Sequence, residues 1–173
     1  MSLFNRMSLD QAFELLLNRK IIAREFKQAN RKINKLKNND WRLWFGRFLL
    51  CIRSDAENYR FTEAYICLAE AEALLKEANN PNENEKFYSL INNESLFLVF
   101  KFYYETAGLT SLALYLARAY QNGWGVKRDL EKAHKFAQKA VTMNEYEPIY
   151  ENSVEVLNSI LSEISFLKEE NLS

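Results

Sequence analysis

The sequence holds few of the residues that punctuate a chain: four glycines and two prolines in 173 residues. An all-β fold needs many turns, and a parallel α/β fold usually needs glycine-rich loops, so the shortage points to an all-α protein. One histidine, His134, and two separated cysteines, Cys51 and Cys67, leave too few soft ligands for a structural zinc site within one chain. The close glycine pair Gly123 and Gly125 makes neither a Walker-type phosphate loop nor a dinucleotide fingerprint. No apolar run reaches the ~18 residues of a membrane span, the longest being SLFLVF before Lys101. Acids and polar residues interrupt the N-terminal apolar stretch, which makes it a poor secretion signal. With two unpaired-looking cysteines, this implies a reducing, cytoplasmic setting.

Hydrophobic residues make up 48% and charged residues 27%, a soluble globular balance, and the length suits one domain over 1–173. Basic and acidic residues number 23 each, but they come in blocks: +7 over residues 1–60, −5 over 61–100, +4 over 101–141 and −6 over 142–173. Such alternation permits oppositely charged faces.

Periodicity supplies the elements. Ser8 with Gln11 resembles a capping box, and Leu15, Ile22, Phe26, Ala29, Ile33 and Leu36 then form one apolar stripe, a first helix ending at Asn38-Asn39. Asp40 caps a second helix, Trp41 to Ser54, apolar over a wide arc. A third spans Arg60 to Ala78, and Asn82 with Glu85 is read as the next capping box after the break at Pro81. Residues 95–104 have strand-like aromatic content, but without a turn signal and with Gly108 at a C′ position they are read as a central helix buried on all sides. Thr110 or Ser111 caps a helix to Gln121, Asp129 one to Met143, and Pro148 opens a long last helix. The expected organisation is N-terminal helices over 1–80, repeat-like pairs over 83–145 and a capping helix over 146–170.

Leu116, Tyr120, Gly123, Gly125, Val126, Asp129, Lys132, Ala133, Phe136 and Ala140 follow a spaced pattern within residues 112–141. This stretch resembles a Sel-one-like repeat, the helical-pair relative of the tetratricopeptide repeat. It departs from the family pattern at Ala117, where glycine is usual, at Phe136, where tryptophan is common, and at Val141, where a second alanine is usual. The resemblance implies a short α-solenoid of antiparallel helical pairs and a protein-binding scaffold without catalysis or cofactor. A single pair cannot bury its own apolar face and needs the flanking helices.

The residues themselves offer no nucleophile–base pair. His134 reads as a surface histidine between Lys132 and Lys135, and the two cysteines as separate, buried, inert thiols. Glu147, Glu151 and Glu155 recur every four residues with Tyr146 and Tyr150 interleaved, a surface suited to gripping a basic protein, tyrosine as anchor and carboxylates for steering. Trp124, between two loop glycines, reads either as a cap over the groove of the helix pair or as a further contact residue. The sharpest expectation is a cytosolic bacterial immunity protein that neutralises a basic toxin domain. Its competitors are a secretion chaperone or adaptor, and a nucleic-acid-associated regulator using the basic stripe Arg24, Lys27, Arg31 and Lys35. The zero net charge weighs against the nucleic-acid partner.

Overall fold

Among the described residues, side-chain caps start five helices, at Ser8, Asp40, Asn80, Asn93 and Asp129. The computed structural model describes residues 7–18, 22–53, 60–108, 112–143 and 147–172, with the side chains of 61, 62 and 147–150 excluded. These contain nine helices: α1 Leu9–Leu17, α2 Ala23–Ile33, α3 Trp41–Arg53, α4 Phe61–Ala78, α5 Pro81–Ile91, α6 Glu94–Ala107, α7 Leu112–Asn122, α8 Leu130–Met143 and α9 Glu147–Leu172. The all-α expectation holds. The chain divides into two compact units, residues 1–84 and 85–173, with the boundary inside α5.

In the first unit Ser8 caps α1 through the capping box, its Oγ accepting from the Gln11 amide at 3.1 Å while Gln11 accepts from the Ser8 amide at 2.8 Å. The expected single first helix is two. Asn18 leaves the helical region at φ −85°, ψ 123°, and its amide closes α1 on the Glu14 and Leu15 carbonyls. Ile22 was expected in the apolar stripe. It stands instead at the extended N-cap of α2, 58% exposed, its amide bonded to the Glu25 carboxylate. Asp40 caps α3 as expected, accepting from the Arg42 amide at 3.0 Å.

α3 packs against α4 and also meets α1 and α2. Phe45 is central: it meets Phe13 edge to face at 5.6 Å and Phe48 at 5.6 Å, with Ile33, Leu43, Leu49 and Leu68 buried in the same unit. α4 ends on Asn79 in the left-handed region, φ 46°. α5 is capped by Asn80, whose Oδ1 accepts from the amides of Asn82 and Glu83, with Pro81 as the first helical residue. The expected Asn82 cap is thus replaced, because proline at the first helical position leaves the preceding asparagine to satisfy the free amides. From α5, Glu83 accepts the Trp41 indole N–H at 2.6 Å.

In the second unit α7 packs on α6, α8 and α9, and α8 on α9. Residues 95–104 are helical and Gly108, at φ 63°, terminates α6. The central helix is nevertheless α7, in which Leu112 to Ala117, Ala119, Tyr120 and Gln121 are all buried. α6 buries Leu96, Phe97 and Phe100 but leaves Leu98 and Phe102 49% and 56% exposed. Its all-round apolar sequence therefore does not make it the core. α7 wins that place because Ala113, Ala117 and Ala119 let neighbouring helices approach closely.

The loop between α7 and α8 is built as its residues require. Gly123 and Gly125 both have positive φ, 75° and 67°. Asp129 Oδ1 accepts from the Lys132 amide at 3.0 Å and starts α8. Ala133, Ala137 and Ala140 are buried along α8. The expected Thr110 or Ser111 cap lies outside the described residues.

Candidate functional site

The helix start at Asp129 sets the register of α8 and so decides which of its side chains share a face. Lys132, Lys135 and Lys139 recur at spacings of three and four, with Phe136 four after Lys132 and three before Lys139, and line one groove. With Gln138, Val141, Thr142 and, from α9, Leu157, they line a groove of about 650 Å³. Its floor is apolar, formed by Phe136, Val141 and Leu157, and its rim is cationic.

The aromatic floor is fixed from beneath. Phe136 stacks on Tyr120 of α7 at 5.7 Å, with 9° between the rings, and meets Tyr104 of α6 edge to face at 5.3 Å. The lysines are placed by these same rings: Lys132 Nζ lies 5.4 Å from the Tyr120 centroid and Lys139 Nζ 5.7 Å from that of Tyr104. Lys132 also pairs with Asp129 at 3.5 Å and Lys135 with Glu131 at 3.2 Å. Lys139 makes no ion pair among the described residues. The Lys132 amide holds the Asp129 carboxyl below the usual carboxylate range, and the Lys132 ammonium adds to this. A groove with an apolar floor and ammonium groups on its edge suits an amphipathic segment that carries acids.

α9 is held against α7 by a polar clamp. The buried Gln121 amide donates to Ser159 Oγ at 3.0 Å and to Glu163 at 2.7 Å, and the other Glu163 oxygen pairs with Arg128 from the loop. Leu157 of the same helix lines the groove.

Of the residues expected at a binding face, Glu151 and Glu155 lie exposed one turn apart on α9, and neither makes an ion pair among the described residues. Tyr146 lies outside the described residues, as do the side chains of Glu147 and Tyr150. Trp124 does not present itself to a partner: it is 3% exposed, 6.2 Å from the Tyr115 ring and covered by the Arg118 guanidinium at 4.6 Å. The reason is the loop conformation. Two left-handed glycines fold the segment back and turn the indole inward, giving it the packing role of the two readings and not that of a surface contact.

His134 is half-buried on α8, among residues of which no group of three or more His, Cys, Asp or Glu is gathered for a metal ion in the described part. Arg24, Lys27, Arg31 and Lys35 are all exposed. No described helix is long and apolar enough to cross a membrane.

The lysine rim is what sequence reasoning missed. Lys132 stood out as a residue of the repeat pattern and, with Lys135, as a neighbour of His134, but not as part of a rim. The usable signal was the 132–135–139 spacing around Phe136 in the segment whose helix start was already assigned. Comparison of the chain with protein-family models, curated proteins and solved structures finds no match.

Proposed function

We propose that this protein is a non-catalytic, protein-binding helical scaffold, a short α-solenoid of the Sel-one-like kind, and that the α8 groove receives an acidic amphipathic helix of another protein. The observation that carries this reading is the groove itself: Phe136, Val141 and Leu157 form an open apolar floor under a rim of Lys132, Lys135 and Lys139. Apolar floor supplies affinity, and rim charge supplies register and association rate. In the finer form of the proposal the partner is a toxin and the scaffold is its cytoplasmic immunity protein.

A second reading rests on a different observation. Glu151 and Glu155 are exposed carboxylates without ion pairs among the described residues, which favours a basic domain docked along α9, as the charge block of residues 142–173 suggests. Capture of partners from the native host by the full chain, followed by their identification, separates the two. Charge reversal at Lys132, Lys135 and Lys139 abolishes capture in the first reading and leaves it intact in the second. Reversal at Glu151 and Glu155 does the opposite. Capture unaffected by either set removes both surfaces from the account, and with them the case for a toxin-neutralising role.

A further inference from the structure

We propose that the row Arg24, Lys27, Arg31 and Lys35 along α2 binds the phosphate backbone of duplex DNA. The protein-binding reading of α8 leaves this row unused. Its residues follow one another at spacings of three, four and four, and all are exposed. Arg24, Lys27 and Arg31 lie within α2. Lys35 continues the row, because Asn34 is still right-handed at φ −66°, ψ −8° and the Lys35 amide bonds back to the Lys32 carbonyl. At 1.5 Å per residue the row is about 16 Å long.

Two observations set the row apart from an ordinary solvated face. None of its four side chains has an acidic partner among the described residues, whereas Arg60, Lys101 and Lys132 pair with Glu63, Glu105 and Asp129. The nearby acid Glu25 accepts instead from the Ile22 amide at the helix start. The row also sets like charges three or four residues apart at each step, which weakens a helix until a counter-charge covers it. Residues 22–37 carry six cations against one acid. Charges further than about 10 Å away are screened at 0.1 M salt, so this local excess acts despite the zero net charge. The chemistry of the face selects the polyanion. Ala29 and Ile33, on the apolar side of α2, are fully buried, which leaves no apolar helix face to enter a lipid surface. Gln28 and Asn34 lie beside the cations and offer no aromatic ring on which an unpaired base could stack, which favours a duplex over a single strand. The DNA major groove admits an α-helix, whereas that of duplex RNA is deep and narrow.

The test is fluorescence anisotropy of the full chain with a labelled mixed-sequence DNA duplex of about 20 base pairs, across a salt series. Four phosphate contacts predict that log K falls against log salt with a slope of about −3 to −4. The triple variant Arg24→Gln, Lys27→Gln, Arg31→Gln is expected to bind at least tenfold more weakly, while unfolding at the same temperature or higher because the like-charge repulsion is gone. Lys35→Gln alone should make the slope shallower by about 1, which keeps the test open if the triple variant fails to fold. The Lys132→Gln, Lys135→Gln, Lys139→Gln variant should bind the duplex as wild type does. Absence of duplex binding at 50 mM salt overturns the proposal, as does binding that the α2 changes leave intact or that the groove changes abolish. Tighter α2-dependent binding to phosphatidylserine vesicles, or to duplex RNA, than to the DNA also overturns it.

Discussion

Gly125 lies against the backbone of Asn93, so close that a Cβ at 125 would overlap the Asn93 carbonyl oxygen and stand 2.8 Å from the Glu94 amide nitrogen. The Gly125 amide also donates to Asn92 Oδ1 at 2.8 Å. The α7–α8 loop is thereby seated on the start of α6, which fixes the three helices that support Phe136.

Gly125→Ala is expected to destabilise by about 2 kcal/mol or more, combining a left-handed backbone with backbone overlap. Gly123→Ala, with its nearest backbone neighbour at 3.5 Å, meets the conformational penalty alone, about 1 kcal/mol. Urea unfolding of both variants checks the order. Equal losses would show that the contact with Asn93 contributes nothing.

A Cβ at Gly46 would stand 2.6 Å from both Cγ2 and Cδ1 of the buried Ile33. Alanine gains up to about 1 kcal/mol of helix propensity there, whereas overpacking costs about 1–3 kcal/mol, so Gly46→Ala is a net loss. In an Ile33→Ala background the same change becomes neutral or stabilising. A double-mutant cycle by chemical denaturation measures that coupling.

Burial raises the Asp40 carboxyl, but hydrogen bonds from the Arg42 side chain and amide outweigh it, and the net pKa is lowered. A folded-state pKa below the unfolded one contributes stability above the unfolded value, ~3.9 for aspartate, and loses it as pH falls through the folded value. Asp40→Asn keeps a capping oxygen and removes the charge. Its unfolding midpoint should fall less steeply than wild type below about pH 4; parallel curves would contradict the assignment.

Glu163→Ala removes an acceptor from the buried Gln121 amide and frees Arg128. The expected cost is about 1–3 kcal/mol, most of it from Gln121. Arg128→Ala alone should cost about 1 kcal/mol or less, because that pair is largely exposed. Thermal unfolding of the two single variants distinguishes a clamp at Gln121 from a surface ion pair.

Much of this fold is legible where one residue answers a local need. Ser8 and Asp40 satisfy free amides, Gly108 ends α6, and Gly123 and Gly125 permit the left-handed turn. The reading fails where tertiary context decides. Ile22 fits an apolar stripe only if the helix runs through Asn18, and nothing local forces it to. Leu98 and Phe102 are as apolar as Leu96 and Phe100, but only the second pair is buried, Phe100 stacked on Tyr115 of α7. The acidic face is legible as spacing in Glu151 and Glu155. The groove is not, because its floor joins Phe136 to Leu157 of another helix and to rings from Tyr104 and Tyr120.

The most direct measurement is amine-acetylation footprinting of the lysines in the free chain and in its complex with the captured partner, read by mass spectrometry. The account predicts strong protection of Lys132, Lys135 and Lys139 on binding, with Lys76 and Lys168 labelled equally in both states. Unchanged labelling of all three groove lysines in a saturated complex would contradict it.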